Sequence, residues 1–356
     1  MSSGITRIAA RVGNLRYSLI KTAGLLPVLL LCLAQAPGAN AQDKPIELKL
    51  TDVSLNKLPF VMAYEEGIYK KNGLNIIPKF TAGSVAIIRR SGVDVPDEFI
   101  IKKGDANTPI SIGGAGPTIV SVATRAGAWD PIILGSTHSV SRWHIVSRND
   151  IHSARDLKGK RIGYSGYGAV THMVAIEFAR AMGWDPKMDV SLMSNALAVE
   201  ALQKGYVDAF IAPELHNTMA IDAGFKDLVD LSDYHLPVAG SSIRVDRQWL
   251  ASHRDEARRF VKSAVEAIAL LKNDKQAAFR TLRKWYQLKD PKLLEYFYSE
   301  ETKLPRKPYP AVEGIKKVME IYDSHEMRKY TPQHFYDDSF VRELDKSGYI
   351  DSLYHQ

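Results

Sequence analysis

From Ile46 to Val53 apolar and polar positions alternate with the period of a half-buried strand, and the run closes in Ser54-Leu55-Asn56-Lys57. The spacing then becomes helical: Pro59 suits a first turn, and Phe60, Val61, Ala63 and Tyr64 recur before Gly67. Leu74 to Phe80 reads as a second strand. The stretch Gly83 to Asn107 is polar, carries Gly92 and Pro96, and reads as an insertion of helix and loop. A short strand from Ile110 then runs into Gly113-Gly114-Ala115-Gly116-Pro117 and a helix from Thr118 to about Arg125. Pro131 to Gly135 and His144 to Ser147 are further strands.

The middle of the chain repeats this order. A strand from Arg161 to Tyr164 passes through Ser165-Gly166-Tyr167-Gly168 into a helix from Val170 to Met182. Val190 to Met193 reads as a strand, Leu197 to Lys204 as a helix, and Val207 to Ile211 as a strand ending at Ala212-Pro213-Glu214. Strands alternating with helices imply a parallel-rich sheet flanked by helices, an α/β fold. Beyond Arg247 the pattern is almost wholly helical, with candidates at Arg254 to Leu271, Lys275 to Tyr286, Pro291 to Tyr298 and Tyr309 to Tyr322.

The first 41 residues have a different character. Arg7, Arg11, Arg16 and Lys21 form a basic head, Leu25 to Ala34 is an uninterrupted apolar run, and Ala39-Asn40-Ala41 offers small residues for cleavage. This is the pattern of a secretory signal peptide, too short in its apolar part to span a bilayer. The mature chain is expected to begin near Gln42 and to work in the periplasm.

Composition narrows the chemistry. The only cysteine of the 356 residues, Cys32, lies in the apolar run, so cleavage removes the means for a disulfide, a cysteine-bound zinc or a thiol nucleophile. The whole chain carries +7, with 47 basic against 40 acidic residues, and four of the basic ones lie in the signal, which brings the remainder close to balance. No basic stripe points to nucleic acid. The sequence holds no HExxH helix, no GxSxG elbow and no phosphate-loop lysine, and no metal or other cofactor is expected.

Four stretches, in order, resemble one family. They are Leu58-Pro59 through Ala63-Tyr64-Glu65-Glu66-Gly67-Ile68-Tyr69-Lys70-Lys71-Asn72-Gly73-Leu74, then the Gly113-Gly114 turn, then Asp156-Leu157-Lys158-Gly159-Lys160-Arg161-Ile162-Gly163 with Thr171-His172, and then Ala201-Leu202-Gln203-Lys204-Gly205-Tyr206-Val207-Asp208-Ala209. The chain thereby resembles periplasmic substrate-binding proteins of ABC importers, in the group that handles nitrate, sulfonates, taurine and thiamine-precursor pyrimidines. The helical tail matches only in character. The resemblance implies a two-lobe periplasmic-binding-protein fold of type II with the ligand cleft between the lobes and a helical C-terminal region. It implies residues 42–140 as the first part of lobe 1, 141–234 as lobe 2, and 235–356 as the return to lobe 1 with the tail. It also implies a monomer with a small-molecule ligand, whose partners are an ABC transporter permease and ATPase.

Ligands in such folds sit beyond the carboxyl ends of the strands, at helix N-termini. Ser54 and Leu55 open the first such stretch. Gly113, Gly114 and Thr118 form the second, where glycines admit a close backbone approach. Ser165, Tyr167, Thr171 and His172 form the third, joining hydroxyls and free amides to a ring that can stack on a flat ligand. His138, with Ser139, closes another strand. Glu214, on the facing rim, favours a cationic or N–H-donating ligand over an oxyanion. With Tyr167, Trp143 and Tyr64 as stacking surfaces it tilts the expectation from nitrate, sulfonate or taurine toward an aminopyrimidine-like heterocycle. A secreted ligand sensor and an enzyme resembling those that make the thiamine pyrimidine stand as alternatives on the same fold. The latter usually carry a cysteine cluster that the mature chain lacks.

Overall fold

The computed structural model describes residues 45–354 apart from 52–53, 91–92, 102–107 and 125–129. The expected signal peptide at 1–41, with Cys32, and part of the 83–107 stretch lie outside the described residues.

The first run of elements is β1 (Ile46–Leu50), α1 (Leu58–Glu65), α2 (Ile68–Lys71), β2 (Ile76–Phe80), α3 (Ala82–Arg90), β3 (Ile110–Gly113), α4 (Ala115–Thr124) and β4 (Pro131–Val140). After the short crossing Ser141–Trp143 come β5 (His144–Ser147), β6 (Arg161–Gly163), α5 (Val170–Ala181), β7 (Ser191–Met193), α6 (Val199–Gln203), β8 (Ala209–Ala212), α7 (Glu214–Asp222) and β9 (Lys226–Asp230). The chain then returns as β10 (Pro237–Asp246) and continues as helices α8 (Arg247–Ser252), α9 (Arg254–Asn273), α10 (Lys275–Trp285), α11 (Pro291–Glu301), α12 (Val312–Ile321), α13 (Ser339–Lys346) and α14 (Tyr349–Ser352).

These strands form two five-stranded sheets, ordered β2-β1-β3-β10-β4 and β7-β6-β8-β5-β9. In the first, β1 runs parallel to β2 and β3, while β10 is antiparallel to both β3 and β4. In the second, β6 is parallel to β7 and β8, and β5 is antiparallel to β8 and β9. This is the two-lobe periplasmic-binding-protein fold, and each sheet mixes parallel pairs with antiparallel strands made by the segments that cross between lobes. Two of those strands, β9 and β10, and helix α7 had no counterpart among the elements read from the sequence. β4 runs five residues further than expected, to Val140.

The C-terminal helices complete the first lobe. In α9, Phe260 stacks on Phe60 at 6.4 Å and on Tyr69 at 5.4 Å, and Leu282, Leu294 and Phe297 of the following helices join the same core. The second lobe has its own core around Ile145, Ile162, Phe178 and Ile211. A third apolar cluster, with Ala115, Met173, Ala239, Ile315 and Tyr322, joins α4, α5, β10 and α12 and so spans the two lobes. Gly314 lets α12 lie directly on β10, because a Cβ there would come within 2.2 Å of the Val238 carbonyl carbon.

Candidate ligand cleft

The carboxyl ends of β1, β2 and β3 deliver three turns to one edge of the first lobe. After β1, the Ser54 hydroxyl donates to Asn56 Oδ1 at 3.0 Å and accepts from Lys57 Nζ at 2.6 Å. Lys57 is buried, and the Leu55 side chain is fully buried in the core, so Leu55 offers the cleft only backbone. After β2, Thr81 Oγ1 accepts from the Ser84 N–H at 3.1 Å, and the Ser84 hydroxyl donates to the Thr51 carbonyl at 2.6 Å. After β3, Arg244 of β10 reaches under the glycine turn and donates to the Gly114 carbonyl at 3.1 Å and to Thr118 Oγ1 at 2.7 Å. Thr118 is buried, and its hydroxyl serves to seat this arginine.

The second lobe answers with its own edge. The Ser165 N–H donates to Thr171 Oγ1 at 3.0 Å and the two hydroxyls lie 2.8 Å apart, which closes the turn leading into α5. His172, in the first turn, stacks on Tyr164 at 4.3 Å, and its Nδ1 lies 2.6 Å from the Tyr322 hydroxyl. Burial lowers its pKa to about 4, so the ring is neutral at ordinary pH. Tyr167 stands 69 % exposed, with its ring against His172 and Tyr322.

The two edges meet at their glycines. A Cβ on Gly116 would fall 2.3 Å from the Gly168 carbonyl oxygen, so α4 of the first lobe abuts the turn before α5 of the second at the backbone itself. Beside this approach, α5 and α12 are bridged by Arg180 to Glu320 at 3.0 Å and Lys317 to Glu177 at 3.5 Å.

On the other side of the crossing segments lies a buried charge cluster. Pro213 precedes α7 and Glu214 opens it, where the N-terminal end of a helix favours a carboxylate. Its Oε1 accepts from Trp143 Nε1 at 3.1 Å. Burial raises the Glu214 pKa, against the pull of Arg142, Trp143 and Lys57. Arg142 donates to the Glu300 carbonyl at 3.1 Å, and its Nη2 lies 3.3 Å from His138 Nε2. His138 is buried and held down to about 3 by that burial and by the charges of Arg142 and Lys57; Nε2 accepts from Arg142, and the ring proton sits on Nδ1. Beside them Ser241, in β10, adopts a φ of +41° while buried and donates its hydroxyl to Asn56 Oδ1. A residue so placed stores about 1–3 kcal/mol of backbone strain.

The residues expected from sequence therefore fall into two groups. Gly114 and the neighbouring Gly116 lie against Val170 and Gly168, in the stretch that holds Ser165, Tyr167, Thr171 and His172, while Gly113 and Thr118 lie against Arg244, and Ser54, His138 and Glu214 gather around Lys57 and Arg142. Tyr64 belongs to neither: its ring packs edge-on against Phe99 and Trp285 inside the first lobe. Trp143 is packed in the second core with its N–H turned to Glu214. Sequence reading missed Ser84, Arg244, Tyr322 and Glu301. Only Ser84 carried a local signal, a hydroxyl three residues after Thr81 at the start of a helix.

Residues 132–278 match the family model described as NMT1/THI5 like. That NMT1/THI5-like segment takes in most of β4, the whole second sheet and β10, and therefore includes His138, Tyr167, His172 and Glu214. Among solved structures, the chain is similar to the alkanesulfonate-binding protein SsuA from Xanthomonas axonopodis pv. citri, solved bound to MOPS, with 16% identity, a TM-score of 0.60, and 84% of this chain and 96% of that one covered. It is similar to the nitrate-binding protein NrtA from Synechocystis PCC 6803 at 12% identity and a TM-score of 0.63, over 85% and 88% of the two chains. The desulfurization enzyme DSZB is similar at 16% identity and a TM-score of 0.56, over 85% and 99%. No curated protein sequence matches the chain.

Proposed function

We propose that this chain is an extracytoplasmic solute-binding protein that captures a small molecule between its lobes and delivers it to an ABC permease. The observation that carries the reading is the burial of polar groups from both lobes at the crossing: Lys57 and Ser241 from the first, Glu214 from the second, and Arg142 and His138 beside them. Buried charge is unfavourable for folding alone, and it collects where binding repays it. The shared fold of the alkanesulfonate- and nitrate-binding proteins supports the transport role. We read residues 1–41 as a cleaved export signal, 42–140 with 235–356 as lobe 1, and 141–234 as lobe 2.

The ligand class we favour is an N–H-donating aromatic heterocycle of the aminopyrimidine kind rather than nitrate or a sulfonate. Glu214 supports this, because its Oε1 is turned to Trp143 and its buried Oε2 has no hydrogen-bond partner among the described residues. We read the chain as non-catalytic.

A thermal-shift screen of the purified protein against nitrate, alkyl and aryl sulfonates, taurine and aminopyrimidines tests the reading. A ligand at a hundredfold excess over its Kd adds about 2.7 kcal/mol to stability, which moves the melting temperature measurably. Stabilisation by aminopyrimidines, with the ligand recovered unchanged by mass spectrometry, is the expected result. A ligand recovered altered means an enzyme on this scaffold, and an unmoved melting temperature throughout removes the proposed ligand classes.

A further inference from the structure

Helix α11 is seated in the first core by Leu294 and Phe297, is capped by Asp290 at its start, and ends eleven residues later at Glu301. Glu301 is fully buried, and neither of its carboxyl oxygens has a hydrogen-bond partner among the described residues. The same is true of Oε2 of Glu214, which comes from the opposite lobe. Buried polar atoms in folded proteins are almost always paired, so three unpaired carboxyl oxygens mark a place where a partner belongs.

The cations around them already donate elsewhere. Arg142 gives hydrogen bonds to the Glu300 carbonyl and to His138, Lys272 donates to the Thr302 carbonyl, and Lys57 donates to Ser54. The unmet groups of the cluster are thus the three carboxyl oxygens, with the buried Nδ1 of His138 beside them. A nitrate or sulfonate brought here would set more acceptor oxygens against the three, whereas an N–H donor would satisfy them.

We propose that Glu214 and Glu301 form a two-carboxyl subsite at the base of the cleft that receives the N–H-donating end of the ligand, an amidine or aminoheterocycle. This rests on the solute-binding reading above and adds to it a second acid, contributed by the C-terminal helices. A donor seated there bonds to both lobes at once and holds them closed.

Binding is also coupled to a proton. Burial and then the charge of Glu214 push Glu301 up to about 8, against Arg142 and Lys272 and with Glu300 adding to the rise. Lys57, in the turn after β1, acts on Glu214 of the pair. A pair so raised is expected to carry a proton near neutral pH and to release it as a cationic ligand binds.

The test is calorimetric titration of the full chain at neutral pH with benzamidine and 4-aminopyrimidine as donor probes and benzenesulfonate and nitrate as acceptor probes, each in two buffers of different ionisation enthalpy. Donor probes are expected to bind with a heat that depends on the buffer, the sign of proton release. Glu301→Gln, of the same size, should bind them about tenfold more weakly, as loss of a charge-assisted hydrogen bond does, and without the buffer dependence. Glu214→Gln provides a second variant, and circular dichroism establishes that each is folded. A buffer-independent heat overturns the coupling to a proton, and donor binding that is equal in parent and variants overturns the subsite. So does binding of acceptor probes alone, or silence of both donor probes at millimolar concentration. A ligand found elsewhere in the broader screen would leave the solute-binding reading standing in any of these cases.

Discussion

The hydroxyl of Tyr322 and Nδ1 of His172 lie 2.6 Å apart, joining the residue that ends α12 to the first turn of α5. The bond crosses from the C-terminal helices to the second lobe, and both partners are buried. Tyr322→Phe keeps the ring and removes the donor, leaving His172 Nδ1 only the longer bond from the Gly168 N–H at 3.4 Å, which should cost about 1 kcal/mol. The loss should appear as a lower melting temperature. Small-angle scattering should show a more open average form, since the apolar cluster that joins the lobes stays but one of its polar ties is gone.

Backbone contact between the lobes depends on a hydrogen atom at Gly116. Gly116→Ala places a methyl group against the Gly168 carbonyl and should force α4 and α5 apart, weakening ligand binding more than it lowers the melting temperature. Gly166→Ala is the matched control, because nothing lies within 4 Å of its new methyl. Equal affinity in Gly116→Ala and Gly166→Ala would show that the lobes bind ligand without this approach.

Tyr167 is largely exposed and touches only the rings of His172 and Tyr322 among the aromatic contacts. Tyr167→Ala should therefore leave the melting temperature of the free protein nearly unchanged while weakening binding of an aromatic ligand. Titration of parent and variant with the ligand found by thermal shift reads this directly.

Two buried groups set opposed pH dependences. His138 titrates at about 3 in the folded chain against an ordinary 6.5, so its contribution is complete above 6.5 and is lost as pH falls toward about 3. Glu301 titrates at about 8 against an ordinary 4.5, so its contribution is complete below 4.5 and is lost as pH rises through about 8. Between 4.5 and 6.5 the two slopes oppose each other. Melting temperatures measured across pH should fall on either side of that window. Glu301→Gln should remove the alkaline fall, and His138→Gln should lessen the acid one without abolishing it, because His172, lowered to about 4, loses its contribution over the same side.

The α/β alternation was legible because strand and helix periods are local properties. Ile46 onward alternates, Pro59 marks a helix start, and Val170 to Met182 has a helical stripe, and each element appears within a few residues of its expected bounds. Helix α3 was harder to see, since Gly83 near its start weakens the helical signal. Strand β10 was hidden by the polar and small residues Gly240, Ser241, Ser242 and Arg244, which break the apolar alternation although they are buried. Glu301 was beyond reach for another reason. Nothing near it in sequence announces that the end of a tail helix, 87 residues from Glu214 along the chain, returns to the crossing segment, where Arg142 bonds the Glu300 carbonyl.

The place of β10 in the first sheet has a consequence for the order in which the molecule can be made. Among the described strands β4 pairs with β10 alone, apart from an isolated bridge from its Ile133 to Tyr336, and β10 separates it from β3. Until residues 237–246 have been synthesised, β4 has no neighbour to bond with and β3 exposes an open edge, a condition that invites mispairing. The second lobe, whose five strands lie between residues 144 and 230, can close its own sheet first. The half of the protein that begins the chain is thus the half that finishes folding, and a fragment ending before β10 should not yield a stable first lobe.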